Sequence, residues 1–140
     1  MGTSTCVFCS IVAGDVPAHV VLDEPEVVGF LDAVPLFPGH VLVVPREHHV
    51  TLPDLPPALL HPFFEAVQRV NRAVQAATGS QGIFNGVNNV VSQSVLHLHV
   101  HVVPRTKGDG LRGFFWPRQR YASDDEAADT AARIKTALAR

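Results

Sequence analysis

The sequence predicts an α+β domain: an antiparallel sheet of about five short strands, one long helix, and peripheral helices near the N- and C-terminal ends. Three observations carry this. Short β-branched runs separated by Pro, Gly and acidic turn signals fill the first 45 residues. A single long stretch after Pro56 switches to helical period. Beyond it, a run of apolar residues and histidines alternates strictly at period two.

In chain order, Cys6-Val7-Phe8-Cys9 leads into a short apolar run, Ile11-Val12-Ala13, that Gly14 ends. Val20–Asp23 and Val27–Leu31 read as two strands reversing over Glu24-Pro25-Glu26. Pro35 and Pro38-Gly39 mark a loop, and residues 40–45 read as a third strand. Leu59, Leu60, Phe63, Phe64, Val67, Val70, Val74 and Ala77 then form one helical stripe, with prolines at its start and Gly79 just past its end. Residues 82–87 are the fourth strand, 88–94 a polar loop, and 95–103 the fifth strand, stopped by Pro104. The stretch 105–121, rich in Gly, Arg and aromatic residues, reads as irregular. Ser123 followed by Glu126 is a capping box, and with Asp124 and Asp125 it predicts a helix over 123–139.

The 140 residues are expected to form a single domain with a core over 6–105 and a variable tail over 106–140. At this size a core suffices without a disulfide staple. Hydrophobic content is 46%, which excludes a disordered chain, and 11 basic against 13 acidic residues leave no field to hold DNA, RNA or an anionic membrane by charge alone. No apolar run approaches a spanning helix, and the first residues lack the regions of a signal peptide. Met1-Gly2 is not followed by a myristoylation motif, since Cys6 stands where Ser or Thr is required. The expectation is a reduced, cytoplasmic protein. Its two cysteines, three apart, then point to metal or redox work. For zinc they would supply half of a tetrahedral shell, which two histidines must complete; the residual reading is two free, unmetallated cysteines.

Eight histidines is a high number for this length, and three of them stand in His97-Leu98-His99-Val100-His101-Val102-Val103. In a strand, the three imidazoles share one face while Leu98, Val100 and Val102 share the other. The apolar face can pack on the helix, which leaves the imidazoles toward a polar site or solvent. Neighbouring histidines on that face are ~6.7 Å apart and the three span ~13 Å, too far for one metal to take all three. At least one imidazole is left for chemistry.

The run His97 to Val103 resembles the signature of the histidine triad superfamily of nucleotide hydrolases and transferases. Cys6 to Cys9 with Ile11-Val12, Phe30-Leu31-Asp32, Pro38-Gly39-His40 through Pro45 with His48, and Gln93-Ser94-Val95 follow that family's order and spacing over roughly residues 6 to 105. The family usually has glycine before the glutamine, where this chain has Ser92. The resemblance implies the fold of that family and cleavage of nucleoside 5′-phosphoramidates or dinucleoside polyphosphates through a nucleotidyl-histidine intermediate. His99 would be the nucleophile, its other nitrogen donating to a carbonyl so that the attacking one is bare. His101 would contact phosphate, and Ser94 with Gln93 would steady phosphate and leaving group. Asp32 would accept the ribose hydroxyls of an AMP-like purine nucleotide. Asn88 or Asn89 would lie on the phosphate side, and Ile11, Phe30 and Leu42 are candidates for the purine pocket or for plain core.

The same resemblance completes the zinc shell as Cys6, Cys9, His48 and His97, a closed and hence structural site, with His49 as the rival of His48. It also implies a homodimer across the long helix and its adjacent strand, rimmed by Gln68, Arg69, Asn71 and Arg72. Arg112, Trp116, Arg118 and Arg120 could meet a second nucleotide or a dimer contact. Two other readings stand beside this one: a non-catalytic purine-nucleotide-binding or scaffold module, and a metallohydrolase using His97-Leu98-His99 as a catalytic zinc site.

Overall fold

The computed structural model describes residues 5–112 and 118–139. The chain divides between Asp109 and Gly110 into two compact units. The first carries α1 (Val7–Ala13), β1 (Val20–Asp23), β2 (Val27–Leu31), β3 (Val41–Pro45), a 3-10 turn (Leu52–Asp54), α2 (Pro57–Thr78), β4 (Gly82–Gly86) and β5 (Val100–Arg105). The strands form one antiparallel sheet in the order β1-β2-β3-β5-β4.

Helix α2 buries its apolar stripe on one face of this sheet. Phe63, Ala66, Val67, Val70 and Val74 pack with Val27, Val41, Val43, Leu98, Val100 and Val102. Pro57 opens the helix, and Gly79, at φ +67°, closes it with its N–H on the Gln75 carbonyl. The opposite face is covered by α1, whose Phe8 joins Val28, Phe30, Leu42 and Val44. The central strands are therefore buried on both sides, which is why their sequence reads as continuous β-branched runs. Leu42 lies opposite Phe30 on β2 and opposite His101 on β5, so the register sets an aromatic and an imidazole flanking one leucine.

The fifth strand departs from its predicted bounds at both ends. It starts at Val100, so His97 and His99 precede the regular ladder. The cause is Pro45: after the Val43–Val100 pair, β3 reaches a residue with no N–H to donate, and Leu98 N–H donates instead to the His49 carbonyl, at 2.7 Å. The strand also runs through Pro104 to Arg105. Pro104 lies beyond the last β3 pair, Val41 with Val102, where one side of β5 is already free of ladder bonds. The predicted alternation nevertheless survives. Leu98, Val100 and Val102 are in the α2 core, while His97 and His99 contact Phe8 of α1. Of the two settings expected for the imidazole face, a polar site or solvent, the structure gives the first: His97 is 0% exposed and His99 3%, and His99 and His101 line a cavity.

The loop before β5 holds two left-handed residues that are not glycine, Val90 at φ +72° and Ser92 at φ +63°. Ser92 thus takes the backbone conformation that glycine adopts most readily. The second unit carries α3 (Asp124–Leu138). Ser123 Oγ caps it by accepting from Glu126 N–H, at 3.1 Å, as the capping box predicts. Arg112, Arg118 and Arg120 belong to this unit, whereas Trp116 and the Met1-Gly2 pair lie outside the described residues. Among the described residues, no helix is long and apolar enough to cross a membrane.

Candidate active site and metal centre

Four side chains from three separated segments meet under the start of α1. Cys6 is the N-cap of α1 and Cys9 lies one turn in, so the helix brings both sulfurs to one end. His48 arrives from the loop after β3, and His97 from the segment leading into β5. Cys9 Sγ is 3.2 Å from His48 Nδ1 and 3.5 Å from His97 Nδ1, Cys6 Sγ is 3.5 Å from His97 Nδ1, and the two Nδ1 atoms are 3.2 Å apart. A tetrahedral zinc with Zn–S of ~2.3 Å and Zn–N of ~2.05 Å has edges of roughly 3.3 Å between nitrogens and 3.5 Å between nitrogen and sulfur. The cluster has those edges, and all four donor atoms lie within 4.8 Å of one another.

The chemistry of the donors fits a cation as well. His97 Nε2 donates to the Pro45 carbonyl at 2.8 Å, which leaves Nδ1 with its lone pair toward the sulfurs. Burial pushes the His97 pKa down to about 4, so the ring is neutral at pH 7. Burial, the hydrogen bond to Cys6 and the charge of Cys6 push the Cys9 thiol up to about 11, so the second thiol ionises only with a compensating positive charge. His49 stays outside the cluster, its ring 3.2 Å from Glu47. His99 is outside it too, so among the described residues the His97-Leu98-His99 pair does not converge on one metal position.

Beside this cluster lies a cavity of about 900 Å³. Its wall includes Phe8, Ile11, Phe30, Leu42, Asp32, Ser94, His99 and His101. His99 Nδ1 is 2.7 Å from the His97 carbonyl oxygen, and since a carbonyl only accepts, Nδ1 carries a proton, which makes Nε2 the bare nitrogen of the neutral ring. Phe8 meets the His99 ring edge-on at 5.1 Å, and the His99 and His101 rings are 5.0 Å apart. Burial lowers the pKa of His101 to about 4, with the charges of His99 and His40 acting the same way. Asp32 Oδ1 accepts from Val34 N–H at 2.9 Å, and its Oδ2 lies 3.7 Å from His40 Nε2.

The remaining polar candidates are not in the cavity wall. Gln93 is buried; its amide donates to the Val50 carbonyl and accepts from Val90 N–H, which shapes the loop carrying Ser94. Asn89 accepts from Leu52 N–H at 2.9 Å and ties the same loop to the 3-10 turn. Asn88 is half-buried. Arg69, expected at a dimer rim, is held by Glu24 through two bonds of 2.8 Å. Sequence reasoning passed over His40. It is buried at 2% exposure, and its Nε2 is 3.0 Å from His101 Nδ1. A histidine directly after Pro38-Gly39, at the mouth of an otherwise apolar strand, was the available signal.

Comparison with known proteins agrees with this arrangement. The HIT domain family matches residues 13–108. "Protein hit" of Bacillus subtilis is 34% identical over 139 residues, covering 96% of this chain and 92% of that protein. "Adenylylsulfatase HINT3" of Arabidopsis thaliana is 34% identical over 108 residues, covering 76% of this chain and 55% of the longer relative. "Adenosine 5'-monophosphoramidase HNT1" of Candida albicans is 25% identical, covering 98% of this chain and 93% of its own length. Among solved structures, a HIT family protein from Bacillus subtilis superposes with a TM-score of 0.85 at 29% identity, covering 94% of this chain and 95% of that one. A Zn-bound histidine triad family protein from Mycobacterium smegmatis superposes with a TM-score of 0.73 at 34% identity, covering 99% and 100%. With its matched domain, its five-stranded sheet and its alternating histidines, the chain belongs to the HIT domain family.

Proposed function

We propose that this protein is a nucleotidyl hydrolase or transferase that cleaves nucleoside 5′-phosphoramidates or dinucleoside polyphosphates through His99. One observation carries the reading: the His99 ring is tied by Nδ1 to the His97 carbonyl, which leaves Nε2 as its free nitrogen when neutral, and His99 lines a cavity large enough for a nucleoside monophosphate. The names of the Arabidopsis and Candida relatives, an adenylylsulfatase and an adenosine monophosphoramidase, support cleavage at the phosphorus of an adenylyl group.

In this reading the Nε2 lone pair attacks phosphorus and a P–N bond forms. The bond to the leaving nitrogen or oxygen breaks with its electron pair, and the leaving group takes up a proton. Water or another acceptor then displaces the imidazole. His101 and Ser94 meet the phosphate, Asp32 accepts the ribose hydroxyls, and Ile11, Phe30 and Leu42 wall the purine. Gln93 and Asn89 act through the loop that presents Ser94, with Asn88 beside them. Cys6, Cys9, His48 and His97 hold one zinc, a closed structural site that fastens α1 to the histidine segment. The functional domain is the single chain, working as a homodimer in the cytoplasm.

The test is a panel of nucleoside phosphoramidates and dinucleoside polyphosphates with product analysis, followed by rapid quenching and mass spectrometry on a slow substrate. An acid-sensitive nucleotidyl adduct on His99 is expected. Nucleotide binding with no turnover across the panel would instead establish a binding module.

A further inference from the structure

The four imidazole nitrogens between Leu36 and the cavity form a directed chain. Leu36 N–H donates to His40 Nδ1 at 3.1 Å, so Nδ1 is an acceptor and carries no proton. Burial lowers the pKa of both His40 and His101, so each ring holds a single proton at pH 7. The proton of His40 is therefore on Nε2. Two acceptors lie near it: His101 Nδ1 at 3.0 Å and Asp32 Oδ2 at 3.7 Å. Only the first is within hydrogen-bond reach. His101 Nδ1 is thus the acceptor, and the one proton of His101 sits on Nε2.

We infer that His40 is a positioning residue which, through the hydrogen bond from its Nε2 to His101 Nδ1, fixes His101 as a neutral Nε2–H donor facing the phosphoryl group. The role toward phosphate rests on the function proposed above; the tautomer does not. The backbone holds the relay still. Asp32 N–H donates to the His40 carbonyl at 2.9 Å and His40 N–H to the Phe37 carbonyl at 3.0 Å, so the loop that supplies the Leu36 donor is closed on itself. The two rings are 5.2 Å apart, and His40 is almost wholly enclosed. The arrangement also divides labour between neighbours. His99 carries its proton on Nδ1 and offers a bare Nε2, whereas His101 has the opposite tautomer and offers a donor. A nucleophile and a donor of the same chemical type then sit side by side without exchanging roles. It further leaves Asp32 Oδ2 unclaimed by His40 and open to a ribose hydroxyl.

The experiment is heteronuclear NMR of the imidazole nitrogens on the ¹⁵N-labelled full chain, as purified with its metal and without nucleotide, with His101→Gln used to assign signals. Both His40 and His101 are expected as Nε2–H tautomers, with a through-hydrogen-bond coupling from His40 Nε2 to His101 Nδ1. A proton on Nδ1 of either ring, or resolved signals with no coupling, overturns the relay. His40→Gln keeps an N–H donor near the Nε2 position and His40→Leu removes it. The leucine variant should lose kcat about tenfold with little change in KM, less than the 10²–10³ typical of deleting a direct donor, and glutamine should restore most of it. Equal kcat in His40→Leu and wild type overturns the positioning role. If the leucine variant does not fold, the wild-type tautomers still decide. Correct tautomers in a protein that turns over no nucleotide would remove the proposed function and leave the relay standing.

Discussion

The carbonyl oxygen of His97 lies 2.7 Å from Nδ1 of His99, while the imidazole of the same His97 stands among Cys6, Cys9 and His48. One residue thus joins the cysteine–histidine cluster with its side chain and orients the neighbouring imidazole with its backbone. Removing the His97 ring leaves that carbonyl in place, so the two functions are separable by mutation. His99→Ala should lower kcat by roughly 10³ or more, because no neighbouring group replaces the covalent step, while nucleotide binding survives. His101→Ala should lose about 10², since it removes a stabilising donor. His97→Ala should lose metal and thermal stability first. Steady-state kinetics, a nucleotide titration and metal analysis on the three variants check the order. Joint failure of His97→Ala and His99→Ala with loss of metal would indicate a catalytic metal instead.

The sulfur and nitrogen edges predict about one zinc per chain by elemental analysis. Cys6→Ser or Cys9→Ser should release it and cost on the order of 3 kcal/mol, or roughly 10 °C in Tm for a chain of this size. Metal-free protein with an unchanged Tm would remove the site.

Much of this arrangement is legible in the sequence because period and chemistry agree. The stripe from Leu59 to Val74 gives α2, the β-branched runs give β2 and β3, and the His-apolar alternation separates the α2 face from the imidazole face even where regular strand has not begun. What sequence could not supply is long-range pairing. The late start of β5 follows from Pro45, which only matters once β3 is known to lie beside it. His40 meets His101 across 61 positions of chain, and no local pattern announces that pair. Nor does sequence announce that the Gln93 amide bonds Val50 and Val90 and that Asn89 Oδ1 accepts from Leu52 N–H, contacts that depend on how the loop closes.

The dimer proposed here has a defined surface. Helix α2 leaves the large apolar side chains of Leu60 and Phe64 exposed, at 41% and 39%, beside the stripe it buries on the sheet, and β4 is an edge strand of that sheet. Light scattering at micromolar concentration should give twice the chain mass, and Phe64→Glu should shift it toward the monomer by burying a charge in the shared face. A monomer in the wild type would count against the surface.

Stability should fall on mild acidification. Burial pushes His101 down to about 4 and lowers His40 for the same reason, against Asp32, which pulls the other way. Unfolded histidines protonate near pH 6.5. Between roughly 6.5 and 4 the unfolded chain therefore binds more protons, so stability drops as the pH falls through that window. Urea midpoints for wild type and His101→Gln, taken from pH 7.5 to 4.5, should show a shallower slope in the variant. Both proteins keep Cys6, Cys9, His48 and His97, so the difference isolates His101; identical slopes would refute its neutral burial.

The loop before β5 stores backbone strain that can be relieved. Val90 is β-branched yet held at φ +72°, a conformation that costs an L-residue on the order of 1–2 kcal/mol. Its side chain is 71% exposed, so truncation forfeits little packing. What holds it there is Gln93, whose Oε1 accepts Val90 N–H at 2.9 Å, with Val91 N–H on the Asn89 carbonyl at 2.9 Å. Asparagine tolerates the left-handed region without the backbone freedom of glycine. Val90→Asn should therefore raise stability by about 1 kcal/mol, roughly 3 °C in Tm, and Val90→Gly by less, because glycine gives part of the gain back as unfolded-state entropy. Ser92→Gly should follow the smaller pattern, since Ser92 occupies φ +63° with a less demanding side chain. Gln93→Leu should do the opposite: it removes the acceptor that stabilises Val90 and the donor to the Val50 carbonyl, at a cost of about 1–3 kcal/mol. Calorimetry on the four variants measures the series, and a Val90→Asn protein that melts below the wild type would show that the left-handed turn is not a strained one.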